Sequence, residues 1–399
     1  MSNGNDWDIE RAIDAMNKAG GLSRRTLMRR AGAGAMSLGV IGFLAACGDS
    51  SSSDSAKTIP KGEIAKTLWF ANWTYYMDVK GKDHPTLDQF QKKYGTKVKY
   101  VEEVNDNNEF FGKVRQQYAQ GNSGGRDLHV VTDWMASRMQ RLGYVQKLDK
   151  SAMPNVVNNM EDAVASPDFD PQRDFSVPWQ TYQVLLIYRK DKTGGDLTSI
   201  NDLFDPKFKG KVTMLTEMRD TVGSVLLGQG IKPEEATKDQ ALTAIDKIEK
   251  ASKDGQIRRF TGNDYTRDIA NGDSVAILGW SGDAPQMELD NSNVAHKHPK
   301  EGFMVATDSM QIPVGAPHAF TAEKLMDFYY DPDIAAQVTA YVNYNSPVKG
   351  VRAKLDKIAP ELTKSDLVFP DTANQHTLKT YTPEEEAEID GAFQRAIGA

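Results

Sequence analysis

The sequence has almost no cysteine: Cys47 is the only one among 399 residues. A single thiol excludes an internal disulfide framework. The mean hydropathy of −0.54 argues against a polytopic membrane protein. The net charge of −7 disfavours nucleic acid as a partner and permits a cationic ligand. With 39% hydrophobic and 26% charged residues, the composition predicts a soluble globular protein with two lobes.

The sequence also lacks the short motifs of catalytic and cofactor sites. It contains no nucleophile elbow, dinucleotide glycine motif or phosphate loop, and "GNSGGRD" lacks the phosphate-loop spacing and its Lys-Ser/Thr pair. The six histidines form no HExxH pattern. His296 and His298 could contact a metal, but a solvated surface loop is the favoured interpretation. We therefore predict no catalytic residue, no cofactor and no metal site.

The first segment of the chain has the pattern of an export signal. The basic stretch "SRRTLMRR", Ser23 to Arg30, precedes the apolar run "AGAGAMSLGVIGFLAAC". This run is shorter than the ~20 apolar residues of a membrane span. Ser23-Arg24-Arg25 resembles a twin-arginine signal, in which Met28 stands where Phe or Leu is usual. The route of export therefore stays open.

The end of the apolar run, "LAAC", resembles a lipobox, in which Cys47 is acylated and becomes the mature N-terminus. The alternative is a general secretory signal with a cysteine there by chance. We predict a signal peptide over residues 1–46 and a flexible, serine-rich tether over residues 47–65. Removing residues 1–46 takes away six basic and four acidic residues and changes the net charge from −7 to −9.

From Lys66 onward, short apolar runs alternate with segments of helical periodicity. "TLWF", "KVKYVEEV" and "DLHVV" read as strands, and Leu87, Phe90 and Tyr94 lie at helical spacing before Gly95. The segment "NNEFFGKVRQQYAQG" predicts a further helix with Phe110 on its apolar face. This alternation predicts a parallel α/β sheet.

Two longer runs predict crossings between the lobes. "VPWQTYQVLLIYRKD" is a long extended run, and "DSMQIP" has the pattern of a second crossing. Between them lies a second α/β series, which includes "GKVTML", a helix from about Asp220, an amphipathic helix from Pro233 to Lys253, and "DSVAILGW". We predict that one lobe comprises residues 66–183 and 309–349, and the other residues 184–308 and 350–399.

Several loops that follow strands carry acidic or aromatic residues. Ligands of α/β sheets bind beyond the carboxyl ends of strands. Aromatic walls with carboxylates along a cleft suit an elongated cation, because rings attract ammonium groups and carboxylates accept charge-assisted hydrogen bonds. The residues are Trp73 and Tyr76, Thr132, Asp133 and Trp134, Glu217 and Asp220, Trp280 and Asp283, and Asp308.

Each of these residues also has a structural interpretation. An acidic residue after a strand is often a helix N-cap, which is an equal alternative for Asp133 and Asp220. Trp280 could fill the core. Glu217 precedes the expected cap position, so we favour function there. The adjacent Tyr329 and Tyr330 resemble a ferric-ion site, but helical spacing favours the core for at least one.

The chain resembles the spermidine/putrescine-binding proteins of polyamine ABC importers, from about Thr67 to the C-terminus. That family has two α/β lobes joined by crossing strands, in the periplasmic-binding-protein type II fold, with the ligand in the cleft between lobes. Two of the matching motifs, "NW" after the first strand and "GWSGD", are fairly specific for this family. The motifs are "NWTYY", "DLHVVTDWMASRM", "YVQKLDKSAMPN", "FDPQRDFSVPW", "TEMRDTVG", "LGWSGD", "ATDSMQIP" and "DPDIAAQV".

The resemblance implies a role for each matching residue. In the first lobe it implies an aromatic wall of Trp73 and Tyr76, with Thr132 and Trp134 after the third strand. Elsewhere it implies the acidic pair Glu217 and Asp220 for one amine end, the central ring of Trp280, the acid Asp283, the carboxylate Asp308 for an amine, and the late aromatic Tyr344 in "VNYNSP".

Two departures from the family pattern leave the preferred polyamine open. Ala306 stands where family members often carry Trp or Phe, which exposes one face of a bound methylene chain unless Trp134 or Tyr344 covers it. The acidic pair is Glu-then-Asp, whereas a spermidine-type member has Asp-then-Glu.

We therefore expect an exported polyamine-binding lipoprotein that is anchored by Cys47 to the outer face of the cytoplasmic membrane. It would be a monomer that delivers its ligand to an ABC permease and is not an enzyme. The alternatives are a receptor for another cationic or amine-containing solute, a secreted hydrolase that uses Glu217 and Asp308 as a carboxylate pair, and an adhesion or scaffold protein.

Overall fold

The computed structural model describes residues 62–398. Cys47, the predicted signal peptide and most of the predicted tether lie outside the described residues. Across residues 62–398, every helix is too short or too polar to span a lipid bilayer.

The strands of the described chain form a continuous sheet in the order β2-β1-β3-β9-β4-β7-β5-β6, with β8 added to β4 and β10 added to β9. β1 pairs with β2 and β3 in parallel, and β5 pairs with β6 and β7 in parallel. The bounds are β1 Thr67–Trp73, β2 Lys97–Val104, β3 Leu128–Thr132, β4 Val177–Arg189, β5 Val212–Leu215, β6 Ile257–Thr261, β7 Ala276–Trp280, β8 Val294–Lys297, β9 Phe303–Gln311 and β10 Gln375–His376.

Helices connect these strands and pack around the sheet, with short 3₁₀ turns between some of them. Their bounds are α1 Pro85–Tyr94, α2 Asn107–Tyr118, α3 Asp133–Arg141, α4 Pro154–Asn159, α5 Lys190–Thr193, α6 Met218–Gly228, α7 Lys238–Lys253, α8 Tyr265–Asn271, α9 Ala284–Asp290, α10 Ala319–Tyr329, α11 Pro332–Val342, α12 Val351–Ile358 and α13 Pro383–Ile397.

Local sequence signals account for the ends of the first helices. Helix α1 has Pro85 at its start and ends at Gly95, whose φ of +73° is the left-handed conformation that glycine adopts readily. Helix α2 is capped by the Asp106 side chain, which accepts a hydrogen bond from the Glu109 amide. Phe110 of α2 and Phe90 of α1 are both buried in the core.

The long strand β4 joins the two halves of the sheet. Its first part pairs with β9, with Tyr182 opposite Ala306, and its second part pairs with β7, with Val184 opposite Trp280. β9 also pairs with β3, which places Asp308 beside Thr132. The predicted fold is therefore confirmed: two α/β lobes are joined by crossing strands. The exact residue boundaries of the lobes stay a prediction.

Two helix boundaries differ from the sequence predictions. The helix expected from Pro233 begins at Lys238, because Thr237 forms a capping box with Gln240 and Pro233–Glu235 forms a separate 3₁₀ turn. Helix α6 begins at Met218, earlier than expected, so Glu217 occupies the N-cap position. The expectation that Glu217 precedes the cap was wrong, although its side chain makes no capping hydrogen bond.

The paired histidines do not lie on a solvated loop, which corrects the sequence interpretation. His296 belongs to strand β8, and its Nδ1 lies 2.7 Å from Glu288 Oε1. His298 follows the strand, and its Nε2 lies 2.6 Å from Gln183 Oε1. Both rings are partly buried and held by neighbouring side chains. Tyr329 and Tyr330 are both buried, so each belongs to the core as predicted for at least one.

Candidate functional site

A cavity of about 310 Å³ lies where the carboxyl ends of β1 and β3 meet β4, β7 and β9. Six of the ten residues predicted from the sequence line it: Trp73, Tyr76, Thr132, Trp280, Asp308 and Tyr344. Three further lining residues were not predicted: Thr74, Tyr182 and Asn263.

The turn after β1 directs two aromatic side chains toward the cavity. Tyr75 has a φ of +63°, a conformation that non-glycine residues adopt rarely, and it reverses the chain between Trp73 and Tyr76. The Trp73 ring lies edge-on to the Trp280 ring at 6.0 Å between centroids. The Tyr76 ring lies edge-on to the Tyr344 ring at 4.9 Å. The opening motif of the fold therefore forms one aromatic wall.

Asp308 is the acidic centre of the cavity. Its Oδ2 accepts a hydrogen bond of 2.8 Å from the Tyr76 hydroxyl, and its Oδ1 accepts one of 2.7 Å from the Thr132 hydroxyl. Only 4% of the residue is exposed. Burial raises the pKa of the Asp308 carboxyl to about 7, although both hydrogen bonds oppose the shift.

Asp220 and Glu217 form a second acidic group at the start of α6. Asp220 accepts a hydrogen bond of 2.8 Å from Trp280 Nε1 and one of 3.4 Å from the Tyr182 hydroxyl. Burial raises the pKa of Asp220 to about 7. Burial, together with the negative charges of Asp220 and Asp106, raises the pKa of Glu217 well above its usual value. Asp220 is therefore neither a capping residue nor exposed.

A chain of hydrogen bonds connects the two acidic groups through Asn107, the first residue of α2. Asn107 Nδ2 lies 2.8 Å from Glu217 Oε2 and 2.9 Å from the Thr132 hydroxyl oxygen, and Thr132 in turn donates to Asp308. Asn107 was not predicted as a site residue. Its position shortly after β2, at the same edge of the sheet as the other site residues, could have indicated it.

Asp283 lies behind the cavity lining. It accepts hydrogen bonds from the Tyr265 hydroxyl at 2.7 Å and from Asn263 Nδ2 at 3.0 Å. The neighbouring Gly282 is required by packing, because a Cβ atom there would overlap the Tyr344 ring. The "GWSGD" motif therefore supports the cavity through both its glycine and its aspartate.

Trp134 is the predicted site residue that lies farthest from the expected arrangement. It is the second residue of α3, is partly buried, and is absent from the cavity lining. The Arg219 guanidinium carbon lies 5.7 Å from the centre of its ring. Asp133, the neighbour of Trp134, makes no capping hydrogen bond and lies 3.5 Å from Arg173.

The acidic groups are held by neutral partners. Tyrosine, threonine, tryptophan and asparagine side chains bond Asp308, Asp220 and Glu217. Arg219 lowers the pKa of Glu217 and Asp220 slightly, but its guanidinium is bonded at 2.6 Å to Glu386. Within residues 62–398, no group of three or more His, Cys, Asp or Glu side chains is arranged to hold a metal ion. Carboxylates with aromatic neighbours can bind an organic cation.

Comparisons with known proteins identify the family of the chain. A family model described as bacterial extracellular solute-binding protein matches residues 86–368. The chain is 27% identical over 334 residues to a spermidine/putrescine-binding periplasmic protein of Escherichia coli, which covers 84% of this chain and 88% of that protein. It is also 27% identical over 335 residues to a putrescine/cadaverine-binding protein of Pseudomonas aeruginosa, which covers 79% of this chain and 88% of the relative.

Solved structures share the fold. A putative spermidine/putrescine ABC transporter protein from Listeria monocytogenes superposes with a TM-score of 0.71 at 23% identity, covering 83% of this chain and 99% of that one. A lipoprotein of Treponema pallidum superposes with a TM-score of 0.69 at 21% identity, covering 84% and 100%. Since the family model matches more than half of the sequence, the chain belongs to the bacterial extracellular solute-binding protein family.

Proposed function

We propose that this protein binds a polyamine outside the cytoplasm and delivers it to the permease of an ABC importer, without chemical change to the ligand. Its relatives in Escherichia coli and Pseudomonas aeruginosa bind spermidine, putrescine or cadaverine, according to their names. The proposed ligand-binding residues are the ten predicted from the sequence, with Asn107, Tyr182 and Asn263 added. Four of the ten lie outside the cavity lining: Trp134, Glu217, Asp220 and Asp283.

One observation carries the proposal: an aromatic cavity is lined by one buried carboxyl group and connected by hydrogen bonds to two more, and the hydrogen-bond partners of all three are neutral. Asp308, Asp220 and Glu217 are each 5% exposed or less. Burying an ionised carboxylate without a cation is costly, and the raised pKa of each group is the consequence. A ligand with two ammonium groups would supply the missing positive charge at both acidic groups.

Two buried oxygen atoms at the site have no hydrogen-bond partner. They are Glu217 Oε1 and Asn263 Oδ1. The amide oxygen of Asn263 can only accept, and Glu217 Oε1 accepts when the carboxyl is ionised. Buried polar atoms are normally satisfied, so each unpartnered acceptor calls for a donor. Ammonium groups are pure donors with up to three N–H bonds, so they can satisfy these two acceptors. One buried donor in the lining, Trp73 Nε1, is also without a partner.

A thermal-shift panel tests the proposal. The purified protein is heated with putrescine, cadaverine, spermidine, spermine, betaine, a sugar and ferric ion in separate samples. A ligand that binds only the folded protein raises the melting temperature. At a ligand concentration of 100 times the Kd, binding adds about 2.7 kcal/mol to the free energy of unfolding. We expect stabilisation by one or more di- or polyamines. Stabilisation by betaine, the sugar or ferric ion alone would contradict the polyamine assignment.

A second assay separates binding from catalysis. A secreted hydrolase with Glu217 and Asp308 as its carboxylate pair would consume its ligand. We expect the bound amine to be recovered unchanged by mass spectrometry after prolonged incubation. Recovery of a cleaved product would favour the hydrolase. If other amine-containing solutes stabilise the protein more than the polyamines do, the ligand is one of those solutes.

The proposal includes the location of the protein. We propose export through the signal in residues 1–46 and attachment to the outer face of the cytoplasmic membrane through lipid on Cys47, with residues 47–65 as tether. The net charge of −7 supports a partner other than nucleic acid. We propose a monomer, as expected for a carrier that presents one ligand to a permease.

A further inference from the structure

Tyr182 and Ala306 are directly paired across the two crossing strands β4 and β9. Paired residues on neighbouring strands project to the same face of a sheet. Ala306 is two residues from Asp308 on β9, so both side chains also share that face. Tyr182 lines the cavity and is 5% exposed. The large side chain placed directly beside the small one at position 306 is therefore that of Tyr182.

The Tyr182 side chain lies between the two acidic groups. Its hydroxyl lies 3.4 Å from Asp220 Oδ1 on one side. Thr132, which donates a hydrogen bond to Asp308, lines the same cavity as Tyr182. Its ring lies edge-on to Trp280 at 6.0 Å between centroids. These contacts hold the ring in the middle of the path that a ligand would follow from Asp308 to Asp220.

We propose that Tyr182 selects the length of the ligand: its ring contacts the middle of a bound amine in place of a ring at position 306, and it favours a short diamine over longer polyamines. This inference rests on the proposed function. It assigns to Tyr182 a direct ligand contact.

The layout of the site supports selection for a short ligand. Among the described residues that line the cavity, Asp308 is the single carboxylate. The Tyr182 hydroxyl contacts Asp220, which lies outside the lining, so the ring stands between Asp308 and this second acidic group. A longer polyamine has to displace the Tyr182 ring, which breaks its contact with Asp220 and its packing on Trp280. A short diamine can lie against the ring without moving it.

Exchanging the two side chains tests the inference. Calorimetric titrations with putrescine, spermidine and spermine are made on the wild type, Tyr182→Ala, Ala306→Phe and the double variant. Tyr182→Ala should weaken putrescine binding about tenfold, since it removes ring contact and cation–π attraction. The preference for putrescine over spermidine should fall by a similar factor. Ala306→Phe alone should weaken binding of all three amines, because Tyr182 already fills the space.

The double variant measures the coupling between the positions. If the two rings occupy one space, Ala306→Phe should improve putrescine binding in the Tyr182→Ala background although it impairs binding in the wild type. Tyr182→Phe keeps the ring and should keep the preference for the short diamine. Tyr94→Ala, on the last turn of α1 and packed on Phe90, is the matched control and should leave all three affinities unchanged.

The outcomes separate this inference from the proposed function. The melting temperature of each variant establishes that it is folded. If the wild type binds none of the amines, the proposed function fails and the inference fails with it. If the wild type binds putrescine but folded Tyr182→Ala shows the same length preference as wild type, only the role of Tyr182 is refuted.

Discussion

The raised pKa values of Asp308 and Asp220 predict that ligand binding depends on pH. Each carboxyl has a pKa of about 7 in the ligand-free structure. A bound ammonium group favours the ionised carboxylate and returns its pKa toward the ~3.9 of an ordinary aspartate. The ligand itself keeps its charge, because alkyl ammonium groups such as that of lysine have a pKa of ~10.4. Binding should therefore release protons from the protein.

The size of the effect follows from the pKa values. At pH 6, a group with a pKa of about 7 is ionised in roughly one molecule in eleven, and at pH 8 it is almost fully ionised. One such group makes the Kd about tenfold higher at pH 6 than at pH 8, and two independent groups make it about 100-fold higher. The sign is fixed: a carboxyl whose pKa falls on binding makes affinity rise with pH through the window from about 4 to 7.

Isothermal titration calorimetry at pH 6, 7 and 8 measures this dependence directly. Titrations at pH 7 in buffers with different ionisation enthalpies give the number of protons released, which should be about one for the two groups together. The Asp308→Asn variant is the control, because it should lose the contribution of one group. A Kd that is constant between pH 6 and 8, with no proton release, would refute the assignment of these carboxyls to the ligand.

Three further predictions concern single positions. Asp308→Asn and Glu217→Gln should each weaken polyamine binding by ~1.5–3 kcal/mol, because each removes one charge-assisted contact while keeping the side-chain shape; unchanged titrations for both variants would exclude this site. Gly282→Ala should weaken binding and lower stability by ~1–3 kcal/mol, since the added methyl group displaces the Tyr344 ring, and thermal melts with and without putrescine measure both effects. Cys47→Ala should move the protein from the membrane to the soluble fraction on cell fractionation, and a variant that stays in the membrane would contradict the lipid anchor.

Much of the fold could be predicted because its signals are local. Helical spacing in "PTLDQFQKKYG" and the glycine that follows defined α1, and the long apolar run of β4 indicated a crossing strand. Loops after strands indicated the site, since the carboxyl ends of strands converge in α/β sheets. Trp73, Tyr76, Thr132, Trp280 and Asp308 were found in this way, and they line the cavity.

The residues that were missed depend on contacts between distant parts of the chain. Tyr182 lies in the middle of a strand, and only the register of β4 against β9 shows that it faces Ala306 and the cavity. Asn107 begins a helix, and its role depends on the approach of Glu217, which is 110 residues away in the sequence. Trp134 lies outside the lining and packs beside Arg219, which is 85 residues away in the sequence.

The hydrogen-bond chain through Asn107 links lobe closure to the charge of the site. It joins Thr132 and Asp308 on one side of the cleft to Glu217 on the other, so these contacts form only when the lobes approach. Above a pH of about 7, closure without ligand buries ionised carboxylates and is opposed by their desolvation. A bound polyamine supplies compensating charge and removes this opposition. At lower pH, protonation of the carboxyl groups removes the same desolvation cost without ligand.

We therefore expect the difference between the ligand-free and ligand-bound radius of gyration, measured by small-angle scattering, to be larger at pH 8 than at pH 6. An equal difference at both pH values would mean that the carboxyl charges do not control closure.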